Sequence, residues 1–141
     1  MCNDFVNWEK PPFAILSAER AELSAADNAK RSDALRDAFK RGPHDYAVTT
    51  GCYAGVTEAS ALVLLYDGLA GQAWQDVLSY AALNDQESVL YVDAERSAYL
   101  FTLADSRLTH LGEWRETTKA NAEAMSAYTR GPDGRYWYVE A

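Results

Sequence analysis

The chain has 141 residues, of which 48% are apolar and 24% charged, proportions typical of a folded domain and unlike those of a disordered chain. Its net charge of -8 is carried by the segment from Gly42 to Glu95, which holds acidic residues but no lysine or arginine. This segment disfavours direct nucleic-acid binding and favours a basic protein partner. No segment reaches the ~18 apolar residues that cross a bilayer, so we expect a cytoplasmic chain without a membrane anchor.

Prolines divide the beginning of the chain from the rest. Residues 1–12 end in Pro11-Pro12 and are predicted to form an N-terminal arm, and residues 13–141 a single domain. The apolar run Phe13–Ser17 predicts the first strand. The next segment begins with a capping serine, is rich in Ala, Leu, Lys and Arg, and stops before a Gly-Pro pair, which predicts a helix from Ser24 to Arg41.

The remaining elements are predicted from alternation, apolar runs and turn residues. Strands are expected at Asp45–Tyr53 and Ser60–Tyr66, and an apolar stripe from Trp74 to Ala82 predicts a second helix. A hairpin is expected with strands at Ser88–Val92 and Ser97–Leu103, followed by a further strand at Thr109–Trp114 and a short helix at Thr117–Ala127. A closing hairpin is expected around Gly-Pro-Asp-Gly, with strands at Tyr128–Arg130 and Arg135–Val139.

The order β-α-β-β-α-β with further strands favours an α+β fold: a ferredoxin-like core with additional antiparallel C-terminal strands. The two helices would cover one face of the sheet and leave the other partly open. An open sheet face or edge commonly binds a second copy or another protein, so a homodimer is one expectation.

Polar residues on the core-facing side of the first helix indicate a candidate ligand site. Steps of three and four from the apolar half of that helix reach Arg31 and Asn28. Either Arg31 pairs with an acid such as Glu58 and Asn28 bonds a loop, or both line a pocket at one end of the sheet. Tyr53, in a glycine-flanked segment, and Gln86, in a polar loop, complete the candidate set.

The acidic middle segment indicates a candidate partner surface. Asp76 and Asp85 lie in or just after the second predicted helix, and Asp67 and Glu87 lie in the loops around it. A basic host protein is the predicted partner of these four residues. The alternative is that the acidic charge serves only solubility.

Short motifs spread over residues 13–92 resemble a family of small bacterial and phage proteins of unknown function, DUF3293. The motifs are Ile15-Leu-Ser-Ala18, Asn28, Leu35, Gly51 to Tyr53, Glu58-Ala-Ser60 and Gln86-Glu-Ser-Val89. Where that family has Trp-Asn-Pro after the first strand, this chain has Ala18-Glu-Arg20. The resemblance implies a phage or bacterial origin and no particular activity.

No nucleophile motif, phosphate-binding glycine pattern or metal-ligand spacing is present, so we predict no catalytic residue, no cofactor and no metal. The leading hypothesis is a non-enzymatic phage or prophage protein that occupies a host protein, such as a component of a defence system, in the host cytoplasm. The alternative is a binding module for a small nucleotide-like ligand, with a pocket at one end of the sheet. A third hypothesis is a hydrolase that uses Glu58 as general base.

Overall fold

The computed structural model describes residues 8–141, so most of the predicted N-terminal arm lies outside the described residues. The eight strands are β1 (Phe13–Ser17), β2 (Tyr46–Tyr53), β3 (Val56–Leu64), β4 (Ser88–Val92), β5 (Ser97–Thr102), β6 (Arg107–Thr117), β7 (Ala127–Arg130) and β8 (Tyr136–Glu140). The helices are α1 (Ala25–Arg41), α2 (Gln72–Leu83) and α3 (Lys119–Glu123), with one 3-10 turn at Gly68–Ala70.

The strands form a closed antiparallel barrel in the order β1-β3-β2-β7-β8-β6-β5-β4. The predicted ferredoxin-like α+β fold is therefore wrong. β4, β1, β3 and β2 are neighbours, but the sheet does not end at β2 and β4, because β7 pairs with β2 and β5 pairs with β4. The face that the sequence indicated as open is the inside of this barrel.

Closure of the barrel depends on a close approach between β6 and β8. The pairing of β5 with β6 shifts by one residue at Ala98/Tyr99, opposite Gly112. Gly112 has φ 147, and a Cβ at this position would lie 2.0 Å from the carbonyl oxygen of Glu140 in β8. Only glycine allows the two backbones to approach in this way.

The helices α1 and α2 cover the outside of β1 and β3. Helix α1 begins after Ser24, whose side chain accepts a hydrogen bond from the N–H of Asp27, as the sequence predicted. Leu35 and Phe39 from α1, and Val77 from α2, are buried in one outer core against alternate residues of the barrel strands. No helix in residues 8–141 has the length and apolar character needed to span a membrane.

A second core fills one end of the barrel interior with aromatic rings. Phe13 contacts Trp8 and Trp114 edge-on, with ring centroids 5.9 Å and 5.4 Å apart. Trp114 stacks on Trp137 at 5.8 Å. These four rings are nearly inaccessible to solvent and close this end of the barrel.

Candidate functional site

Inward-facing side chains become smaller and more polar from one end of the barrel to the other. Because side chains alternate between the faces of a strand, every second residue points inward. Along β1 the inward residues are Phe13, Ile15 and Ser17, and along β4 they are Val92, Leu90 and Ser88. The inward series of β3 runs Leu64, Leu62, Ser60, Glu58. The end opposite the aromatic rings is therefore hollow.

The hollow end is a cavity of about 780 Å³, lined by residues of all eight strands. This volume lies within the ~300–1,000 Å³ of typical small-molecule sites. Its wall is mainly apolar and aromatic, with Trp114 among the lining residues and Tyr53 exposed at the mouth. Among the described residues that line it, Glu58 is the one that carries a carboxylate.

Glu58 lies at the exposed rim of the cavity, where β3 extends beyond the end of β1. Although the residue is exposed, enough protein surrounds the carboxylate for burial to be the largest cause of a raised pKa. The negative charge of Glu19 raises the pKa of Glu58 further, and a hydrogen bond from Ser17 lowers it. A cation bound beside Glu58 would therefore stabilise the ionised form of this carboxylate.

The cavity also extends to the junction between β7 and β8. Their pairing covers only Thr129 with Trp137 and Arg130 with Tyr136. Beyond these pairs, residues of both strands, including Tyr128 and Tyr138, line the cavity. Tyr128 is paired with Cys52 of β2, and a hydrogen bond with the Cys52 side chain raises the pKa of Tyr128. Tyr128 and Cys52 therefore lie next to one another at this junction.

The structure divides the five predicted ligand residues into two groups. Tyr53, Glu58 and Gln86 line the cavity. Arg31 instead donates from Nε to the carbonyl of residue 18 at 2.5 Å and from its guanidinium to the carbonyl of residue 84. Asn28 bonds the N–H and the carbonyl of residue 20, both at 2.9 Å. Arg31 and Asn28 thus hold the loop after β1 and do not line the cavity.

Gln86 connects these two groups. It lines the cavity, and its side chain donates to the carbonyl of Glu19 at 3.1 Å and to that of Asn84 at 3.2 Å. The loop between β1 and α1 and the loop between α2 and β4 are therefore joined at the rim. The expected alternative, a pair between Arg31 and Glu58, is absent from the ion pairs of the described residues.

The four acidic residues predicted to bind a partner are distributed along α2. Asp67 precedes the helix, whereas Asp85 and Glu87 follow it, and all three are exposed. Asp76 is bonded to His44 at 2.6 Å and to Gln72 at 2.9 Å, and these hydrogen bonds lower the pKa of Asp76. The partner role of the four acids stays a prediction.

Five cavity residues were not in the predicted ligand set: Ser17, Ser88, Trp114, Tyr128 and Tyr138. Ser17 and Ser88 could have been found from the alternation along β1 and β4, because a serine ends the inward-facing apolar series of each strand. Within residues 8–141, no group of three or more His, Cys, Asp or Glu side chains is arranged to hold a metal ion.

These features define a class, the small antiparallel barrels whose interior contains a cavity of ligand size. The S-Adenosylmethionine lyase family model matches residues 14–140, a range that includes every barrel strand except the first residue of β1, and the chain belongs to this family. No curated protein matches the chain.

The family corrects three predictions. The resemblance to DUF3293 is wrong, because the matching family is a different one. The prediction of a non-enzymatic phage protein that occupies a host protein is wrong, because the family is one of enzymes. The alternative of a nucleotide-like binding module without catalysis fits this family no better. No sequence motif indicated this family, because the polar residues of the cavity come from several strands that lie far apart in the sequence.

Proposed function

We propose that the chain cleaves S-adenosylmethionine inside the barrel cavity. The observation that carries the proposal is a ligand-sized apolar cavity that has one carboxylate, Glu58, among its described lining residues, in a chain of the S-Adenosylmethionine lyase family. S-Adenosylmethionine is a small cation with an adenine ring, a sulfonium and an amino-acid end. The aromatic and apolar wall suits the ring and the sulfonium, and Glu58 suits the ammonium.

The reaction breaks a carbon–sulfur bond without water. The electron pair of that bond moves to sulfur, which turns the sulfonium into a neutral thioether. The substrate's own carboxylate oxygen forms the new bond to the released carbon, closing a five-membered lactone that keeps the ammonium group. The products are 5′-methylthioadenosine and the amino lactone, and no proton is transferred.

An apolar cavity favours this step because two opposite charges disappear together. In water, the substrate's carboxylate and sulfonium are both stabilised by hydration, and this stabilisation is lost as they neutralise one another. A cavity walled by residues such as Leu90, Leu100 and Val139 offers little hydration to lose. The wall also holds the flexible substrate in a bent form, with its carboxylate close to the reacting carbon.

Glu58 is expected to hold the ammonium group. A carboxylate beside the sulfonium would stabilise the ground state more than the transition state, since the sulfonium charge is lost as the bond breaks. The ammonium charge persists throughout the reaction, so its contact with Glu58 orients the substrate without opposing the step. Glu58 thereby fixes the amino-acid end at the rim.

The test is incubation of the purified chain with S-adenosylmethionine, followed by mass spectrometry of the products. We expect 5′-methylthioadenosine and the lactone in equal amounts, and a loss of about 100-fold in kcat/KM for Glu58→Gln, equivalent to one charge-assisted contact. The control is Glu95→Gln, which removes one negative charge from an exposed turn and should leave kcat/KM unchanged.

Two results would reject parts of the proposal. Absence of 5′-methylthioadenosine at any substrate concentration would reject the activity. An unsaturated amino acid in place of the lactone would retain the activity but replace internal displacement with proton abstraction. S-adenosylhomocysteine, which lacks the sulfonium charge, should not be cleaved.

A further inference from the structure

Beyond the end of β1, side chains replace that strand as hydrogen-bond partners of β3. Ser17 is the last residue of β1 in the pairing and lies opposite Ser60. At the next position along β3, the Ala59 carbonyl accepts from Ser17 Oγ at 3.1 Å, and the Ala59 N–H donates to Glu19 Oε2 at 2.7 Å. The Glu19 carboxylate therefore lies against the backbone immediately beside Glu58.

The position of Glu19 is held from several directions. Ser32 Oγ of α1 donates to the same carboxylate oxygen at 3.2 Å. Gln86 donates to the Glu19 carbonyl, and Asn28 holds the N–H and carbonyl of the following residue. A carboxylate on an anchored loop keeps a constant position relative to its neighbours, so its electrostatic effect on Glu58 is also constant.

Glu19 and Glu58 place two negative charges next to one another at the rim. Neither is in an ion pair with a basic side chain of the described residues. The charge of Glu19 adds to burial in raising the pKa of Glu58. A cation bound beside Glu58 relieves this repulsion, so it interacts more favourably than with Glu58 alone.

We propose that Glu19 is a positioning residue that acts through Glu58: it fixes the β3 backbone at Glu58 and strengthens the attraction of the rim for the substrate's ammonium group. The identity of the cation rests on the proposed function. The coupling between the two carboxylates does not depend on it, and the two parts are tested separately.

The coupling is tested by titrating Glu58 in the ligand-free chain with ¹³C-labelled glutamate carboxyl groups, using Glu58→Gln to assign the signal. In Glu19→Gln, which keeps an oxygen acceptor for Ala59, the titration midpoint of Glu58 should move to lower pH. In Glu19→Asp, which keeps the charge, and in the control Glu95→Gln, it should stay near that of the unsubstituted chain. An unchanged midpoint in Glu19→Gln would overturn the coupling.

The use of this coupling is tested with sinefungin, a stable amine analogue of S-adenosylmethionine, by calorimetry at pH 7. We expect Glu19→Gln to bind about fivefold more weakly, the size of a Coulomb interaction at a solvent-facing site, and Glu95→Gln to bind normally. Equal affinity of Glu19→Gln and the unsubstituted chain would overturn the binding role. Failure of the unsubstituted chain to bind either sinefungin or S-adenosylmethionine would overturn the proposed function, while the titration still decides the coupling.

Discussion

The two ends of the barrel interior are built by the same strands, yet one is packed and the other hollow. At the closed end, β1 contributes Phe13 and β3 contributes Leu64, both fully buried. At the open end, the same strands contribute Ser17 and Glu58. Strand register alone therefore does not make a cavity; the size and polarity of alternate residues decide which end fills and which end can hold a ligand.

The largest expected effect comes from breaking the closed end. Phe13→Ala removes a ring that contacts Trp8 and Trp114 and leaves a void in a closely packed aromatic cluster. We expect a loss of about 3–5 kcal/mol in the free energy of unfolding, measured by urea denaturation. Tyr53→Ala, at the exposed mouth of the open end, should change the stability by less than about 1 kcal/mol. Equal losses for the two variants would contradict the contrast between the ends.

The second expected effect comes from filling the open end. Gly51 lines the cavity opposite Glu58, and a Cβ there would meet no atom within 4 Å. Gly51→Phe should place a ring in the cavity and weaken sinefungin binding by about 100-fold or more, with little change in melting temperature. Thr50→Phe, one residue earlier on the exposed outer face, is the matched control and should bind normally. Normal binding by Gly51→Phe would place the ligand outside the barrel.

Local sequence signals predicted most elements but not the closure that creates this contrast. Helix α1 was predictable because Ser24 caps it and a Gly-Pro pair follows it. The hairpin of β4 and β5 was predictable from its two apolar runs and short turn. Closure also requires β2 to pair with β7, which joins residues as far apart as Thr50 and Arg130, 80 positions away. Backbone hydrogen bonds form this pairing, and they leave no mark on the side-chain pattern.

The site was only partly predictable for a related reason. Glu58 was identifiable as an isolated acid beside an apolar run, and the structure places it at the cavity. Arg31 was predicted on the correct face of α1, but the sequence did not show that two loop carbonyls would bind its guanidinium. Glu19 lies in a loop, where no periodicity predicts which way a side chain points, so its contact with β3 became visible only in the fold.

A smaller effect should distinguish function from stability at the open end. Burial and Glu19 raise the pKa of Glu58 in the folded chain, so the folded state binds more protons than the unfolded state between the ordinary glutamate pKa of 4.5 and the raised folded value. Stability from this group is present below pH 4.5 and is lost as the pH rises through the folded pKa. Glu58→Gln should therefore raise the melting temperature at pH 7 by a few degrees at most, since the group is exposed.

The same variant supplies its own control through pH. At pH 4 and below, where Glu58 is largely protonated in both states, the melting temperatures of Glu58→Gln and the unsubstituted chain should converge. A variant that is more stable at pH 7 yet cleaves substrate poorly would show that the Glu58 charge serves ligand binding at a cost in stability. A lower melting temperature at pH 7 would instead assign Glu58 a structural role.

The smallest expected effect lies outside the barrel, on the helix-covered side. The bond from Asp76 to His44 joins α2 to the loop before β2, away from the cavity. Because hydrogen bonds lower the pKa of Asp76, its stabilising contribution is present above the ordinary aspartate pKa of 3.8 and is lost as the pH falls through the lower folded value. Asp76→Asn should lower the melting temperature at pH 6 by about 1 °C, with the difference shrinking as the pH falls below 3.8, and leave sinefungin affinity unchanged. Asp67→Asn removes a nearby exposed charge that has no such bond, so it should change neither the melting temperature nor the affinity for sinefungin. A loss of affinity in Asp76→Asn alone would show that the outer face and the cavity are coupled.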